Sequence, residues 1–111
     1  MNIDDLTLGD IKKINALVRE VEPDSHPYEI GANYFIRTVT HYFTGRLVAV
    51  YQQELVIEDA AWIADTGRYA DAIKTGDFSE VEPYPAGKVG IGRGSIIDFC
   101  KVEFELPREQ K

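Results

Sequence analysis

Cysteine is almost missing from this sequence: Cys100 is the only one in 111 residues. An internal disulfide and a metal site built from several thiolates are therefore excluded, and the usage fits a reducing compartment. Basic residues are also short, 12 Lys and Arg against 19 Asp and Glu, which leaves a net charge of −7 and a pI near 4.7. Proteins that hold DNA or long RNA draw their affinity from cations that neutralise phosphates, so no long nucleic acid is expected as a partner. The same deficit argues against an anionic membrane surface. No apolar run approaches the ~20 residues that cross a bilayer. The opening "MNIDDLTLGD" lacks a basic segment followed by an apolar one, so a secretory signal is not expected there. Internal repeats and low-complexity tracts are absent as well.

What is present is enough for one domain with a single hydrophobic core, residues 1–111. "TLGDIKKINALVREV" predicts an N-terminal helix over residues 7–21, with Thr7 as its cap. Ile11, Ile14, Leu17, Val18 and Val21 form its apolar stripe. "EPDSHPYEIGAN", with its prolines and glycine, reads as a connector to a β-rich body over residues 34–106.

In that body "YFIRTVTHYF", "RLVAVY" and "ELVIED" read as consecutive antiparallel strands. They are separated by a turn at Thr44-Gly45 and another at Gln52-Gln53. "DAAWIADTG" favours a short helix or turn opened by Asp59, and "TGRYADAIKTGDF" a helix that ends at Gly76. "SEVEPYPAGKVG" is a proline-bearing loop with room for a short edge strand. "GIGRGSIIDFCKVEFEL" closes the chain as one or two strands, and the polar tail "PREQK" is expected to cap nothing. The fold class is α+β: a mostly antiparallel sheet of about five strands, or a small curled barrel, with an N-terminal helix and a short inserted helix.

Signatures of chemistry are sparse. His26 lies in a Ser-His-Pro turn and His41 at a strand end, and neither Ser25 nor Cys100 stands in a protease or esterase motif. Carboxylates abound, among them Glu58-Asp59, Glu80, Glu82, Glu103 and Glu105, but no metal-ligand spacing emerges. Neither a catalytic residue, a metal nor a cofactor is expected. "GIGRGS", Gly90 to Ser95, is the one glycine-rich loop. It reads as a turn between strands, or as an anion nest to which Arg93 adds a charge. Trp62, the only tryptophan, reads as a core anchor beneath the inserted helix, or as a contact residue.

Arg37 raises the sharpest question, because it stands inside a strand otherwise built from aromatic and β-branched residues. A buried guanidinium without a partner is very costly. It pairs with an acid such as Asp59 or Asp98, or snorkels to water, or forks onto a ligand in a cleft.

The run "IRT", then "GRL", then "QELVIEDAAWI" and a following glycine resembles a group of small phage and prophage proteins. The resemblance covers about residues 35–67 and rests on Arg37, Thr38, Gly45, Asp59, Ala60 and Trp62. The small-residue turn that follows Arg-Thr in that group is replaced here by "VTHYFTG", where a phosphate-gripping loop would otherwise be sought. Some of these proteins are related to phage oligomers that sequester cyclic nucleotide signals of bacterial immunity without turning them over. The resemblance therefore implies a non-enzymatic, phage-encoded homo-oligomer in the host cytoplasm that binds a small cyclic nucleotide. Arg37, Arg46 and Arg93 would meet the phosphates, Tyr42 or Trp62 would stack on a base, and Thr38 would be a further ligand-binding residue. The alternative is a structural protein of the virion, a head or tail accessory subunit packed against other phage proteins.

Overall fold

The computed structural model describes residues 26–111, so the helix expected over residues 7–21 lies outside the described residues. The first strand, β1 (Asn33–Thr38), and the second, β2 (Tyr42–Val50), form an antiparallel hairpin. The chain reverses over residues 39–41, before the Thr44-Gly45 pair that the sequence marked as the turn. Thr38 organises the reversal. Its Oγ1 donates to the His41 carbonyl at 2.7 Å and accepts from the His41 amide at 2.9 Å, while its own amide donates to that carbonyl at 2.8 Å. A threonine side chain thus does the work usually given to glycine or asparagine. Gly45 is inside β2 for a different reason: a Cβ there would lie 2.7 Å from Ile57 Cδ1.

At Gln52-Gln53 the expected turn is present, with the Tyr51 amide donating to Glu54 O at 2.8 Å. The third strand, β3 (Glu54–Asp65), is 12 residues long and runs straight through "DAAWIAD", where a helix or turn was expected. Side-chain alternation explains the difference. Ala61 and Ile63 are buried on one face, and Trp62 between them turns to the other. Asp59 does mark an irregularity, but of another kind. Thr44 pairs with Ala61 and Arg46 with Glu58, so Asp59 and Ala60 share the single position opposite Gly45. Asp59 takes φ 52°, the left-handed conformation that Asp tolerates better than most residues. This is a β-bulge, which bends and twists a strand locally.

The bulge divides β3 between two further partners. Its second half pairs with β4 (Glu80–Pro83), and its first half with β5 (Lys88–Gly92). Between β3 and β4 lies the one regular helix of the described residues, α1 (Tyr69–Thr75). It ends as its sequence suggests: Gly76 adopts φ 75° and donates its amide to Ala72 O at 2.8 Å. A 3₁₀ turn, Arg93–Ser95, leads into β6 (Ile96–Lys101), which returns to pair with β1. The result is an open antiparallel sheet of six strands in the order β4-β3-β2-β1-β6, with β5 beside β3. The sheet expectation holds, with six strands in place of about five, and the curled-barrel alternative does not.

Alternation along β1 supplies both faces. Tyr34 and Ile36 join Leu47, Leu55 and Ile57 on one side, while Phe35 joins Ala61, Ile63, Ala72 and Phe78 beneath α1 on the other. Phe35 stacks on Phe78 with 5.7 Å between ring centroids, and Phe104 meets Phe78 edge-on at 5.7 Å.

The tail corrects the sequence reading. Lys111 exchanges two backbone hydrogen bonds with Val81, each 2.9 Å, and so lies along the outer side of β4. Leu106 is buried, and Gln110 donates to Glu82 at 3.1 Å. "PREQK" closes a sheet edge because its backbone pairs whatever its side chains are.

Thr44 is fully buried, and its hydroxyl finds no hydrogen-bond partner among the described residues. A buried hydroxyl left unpaired costs on the order of 1–3 kcal/mol. Thr44→Val, which keeps the shape and removes the hydroxyl, is expected to stabilise the fold by about 1 kcal/mol in urea titration. Thr44→Ala, which also opens a cavity, is expected to gain less or to destabilise.

Candidate functional site

Arg37 sits on β1 between two neighbours, opposite Tyr42 on β2 and opposite Asp98 on β6. Its Nε donates to Asp98 Oδ1 at 2.7 Å and its Nη2 donates to Oδ2, a two-pronged fork on one carboxylate. The rings of Tyr69 and Tyr42 lie 5.1 Å and 5.9 Å from the guanidinium carbon, within the range of cation–π attraction. The question raised by the sequence thus has an answer: the strand carries an arginine because β6 brings it an acid. The fork holds the Asp98 carboxyl below the usual carboxylate range. Burial pushes the Tyr69 phenol and the Cys100 thiol upward, which keeps Cys100 protonated at neutral pH and a poor nucleophile.

Arg46 is likewise engaged. Its Nη1 donates to Asp59 Oδ2 at 2.6 Å and its Nη2 to Glu58 Oε2 at 2.9 Å. Arg108 from the tail reaches the other Asp59 oxygen at 3.0 Å. The hydrogen bond from Arg46, and then the charge of Arg108, hold the Asp59 carboxyl low. Arg93 lies at the far end of the β2–β3 hairpin. Its Nη1 donates to Tyr51 O at 3.0 Å, its amide to Gln53 O at 2.9 Å, and its guanidinium carbon is 5.4 Å from the Tyr28 ring. "GIGRGS" is thus the end of β5 followed by the 3₁₀ turn, which Arg93 clamps onto the neighbouring hairpin.

The six residues singled out from the sequence therefore do not converge on one site. Arg37 and Tyr42 are neighbours on the face that α1 covers. Thr38 is buried in its turn, Arg46 lies at the bulge, and Arg93 is at the hairpin end. Trp62 is in register with Phe43 and turns to the face opposite α1. It is 37% exposed, which corrects its reading as a core anchor under that helix.

Around Trp62 the structure assembles a row that residue-by-residue reading missed. His41 lies 5.4 Å from Trp62 and 6.1 Å from Phe43, and Phe43 stacks with Tyr84 at 6.2 Å. Tyr84 is 37% exposed, and Val39, in the turn that carries His41, is 70% exposed. Four rings from three separate stretches of sequence form one partly open aromatic surface. Only strand register brings them together, and that register was not readable before β2 and β3 were aligned.

Among the described residues no group of three or more His, Cys, Asp or Glu is placed to hold a metal. Nor is any described helix long and apolar enough to cross a membrane. Neither histidine pairs with a carboxylate among the described residues: His26 Nδ1 accepts from the Tyr28 amide at 3.1 Å, and His41 Nδ1 contacts Thr40 Oγ1 at 2.8 Å.

The lowered carboxyls give a pH dependence of known sign. Asp59, Asp98 and Asp77, the last paired with Lys111, all ionise more readily folded than unfolded. Their contribution to stability is complete above the unfolded value of about 4 and is lost as pH falls through the folded values. The urea midpoint is expected to hold between about pH 7 and 5 and to drop below about pH 4, with Asp98→Asn removing part of that drop.

Comparison with known protein families, curated proteins and solved structures finds no match to this chain.

Proposed function

We propose that this chain is a non-enzymatic binding protein whose working surface is the aromatic row of Trp62, His41, Phe43 and Tyr84, presented to another protein. The observation that carries the reading is the partial exposure of Trp62 and Tyr84 in a continuous cluster of rings. Tryptophan and tyrosine anchor protein contacts because they bury much area while freezing few torsions. Within the phage resemblance this corresponds to an accessory subunit of the particle, docked on other structural proteins or on copies of itself.

The nucleotide-sequestering reading draws less support from the same geometry. Arg37 and Arg46 already face Asp98, Glu58 and Asp59, and Arg93 is spent on backbone carbonyls. A phosphate would have to displace these intrachain partners, three times, at places that do not converge.

The test is mass spectrometry of phage particles assembled with the natural chain and with the Trp62→Ala/Tyr84→Ala variant. The natural chain is expected in purified particles, and the variant is expected to be depleted at least about tenfold while keeping its circular dichroism, in line with loss of an interface anchor. Normal incorporation of the variant would overturn the reading. So would retention of a cyclic di- or trinucleotide by the purified protein that is abolished by Arg37→Ala.

A further inference from the structure

The aromatic row has an acidic border. Trp62 on β3 is in register with Phe43 on one side and with Glu82 on the other, and residues directly opposite in a ladder share a face of the sheet. Along β4 Val81 is buried on the side of α1, so Glu80, Glu82 and Tyr84 alternate onto the side of the row. Both glutamates are exposed. Glu82 Oε1 accepts from the Gln110 side-chain amide at 3.1 Å, and no described Lys or Arg is within ion-pair distance of it. Nor does any described arginine lie over the rings of the row.

Elsewhere the chain seats its own arginines by one arrangement, a ring and an acceptor. Arg37 rests 5.1 Å from the Tyr69 ring and forks onto Asp98, and Arg93 rests 5.4 Å from the Tyr28 ring and donates to Tyr51 O. Trp62, Tyr84 and Glu82 supply the same two parts, and an indole attracts a cation more strongly than a phenol does. A guanidinium suits them better than an ammonium, because it is flat enough to lie on the indole and carries further N–H groups for the carboxylate. A phosphate or an acidic peptide would meet Glu80 and Glu82 with like charge, on a chain whose net charge is already −7.

We infer that the row receives an arginine side chain of the partner protein, its guanidinium laid on Trp62 beside Tyr84 and hydrogen-bonded to Glu82. The inference rests on the aromatic reading and deepens it: the partner presents a basic segment, drawn in by an acidic chain and fixed by one stacked arginine. Aromatic burial alone would accept any apolar surface. A carboxylate next to the rings rejects one, because docking would strip Glu82 of water without giving it a new partner.

The test is calorimetry of the full chain with a synthetic tetra-arginine peptide, with the emission of Trp62, the only tryptophan, reporting where it binds. The peptide is expected to bind saturably and to shift that emission. A tetracitrulline peptide, of the same shape without the charge, is expected not to bind, and tetralysine to bind at least about threefold more weakly. Glu82→Gln is expected to weaken tetra-arginine binding at least about fivefold, and Trp62→Ala/Tyr84→Ala at least about tenfold. Glu54→Gln removes one charge from an exposed position roughly 25 Å along β3 from Trp62, and is expected to change the affinity less than about twofold. Absence of binding, equal binding of tetralysine or tetracitrulline, or equal losses on Glu82→Gln and Glu54→Gln would each overturn the proposal. So would binding that appears only after Lys12, Lys13 and Arg19 are replaced, which would give the seat to the chain's own N-terminal segment. In the particle experiment, depletion of Trp62→Ala/Tyr84→Ala with normal incorporation of Glu82→Gln would overturn this inference and leave the aromatic reading standing.

Discussion

Two residues of β3, Asp59 and Ala60, must share the one place opposite Gly45, and much of the architecture follows from that crowding. Gly45 lets the strands meet there, because any side chain would press on Ile57. The bend changes the neighbours of β3, with β5 along its first half and β4 along its second. It also turns the Asp59 carboxylate outward, where it collects Arg46 from β2 and Arg108 from the tail. A single left-handed aspartate thereby ties together a central hairpin, the split in the sheet and the closing segment.

Among the described residues, this acidic chain engages most of its arginines within itself. Arg37, Arg46 and Lys101 each face a carboxylate of the same chain, and Arg93 caps a hairpin through its carbonyls. These pairs are partly open to water, so their worth lies more in fixing register than in bulk stability. Arg37 matches β6 to β1, and Arg46 matches β2 to β3. With these cations committed, the feature of the described surface that stands out for recognition is the aromatic row on the face opposite α1.

The strands were legible because β-branched and aromatic runs leave little choice, and the end of α1 because a glycine follows helical spacing. Asp98 was legible as a partner for Arg37, since a charge inside such a strand requires one. The turns were less so. Thr44-Gly45 has the composition of a turn, but the glycine there answers to Ile57, while Thr38 builds the real reversal with its hydroxyl. "DAA" has the composition of a helix start, yet Asp59 serves a bulge. The aromatic row and the pairing of Lys111 with Val81 depend on register and on distant segments, which no local pattern encodes.

Arg37 and Asp98 are 61 residues apart, and that distance has a meaning during synthesis. The β1–β2–β3 meander is complete before β6 leaves the ribosome, so β1 is for a time the outermost strand of a nascent sheet. Throughout that interval Asp98, its partner in the folded sheet, is not yet in place, and a charge on an outer strand deters pairing with other nascent chains. The same arginine therefore stands as a charge on an outer strand before β6 exists and afterwards as the clasp that receives it.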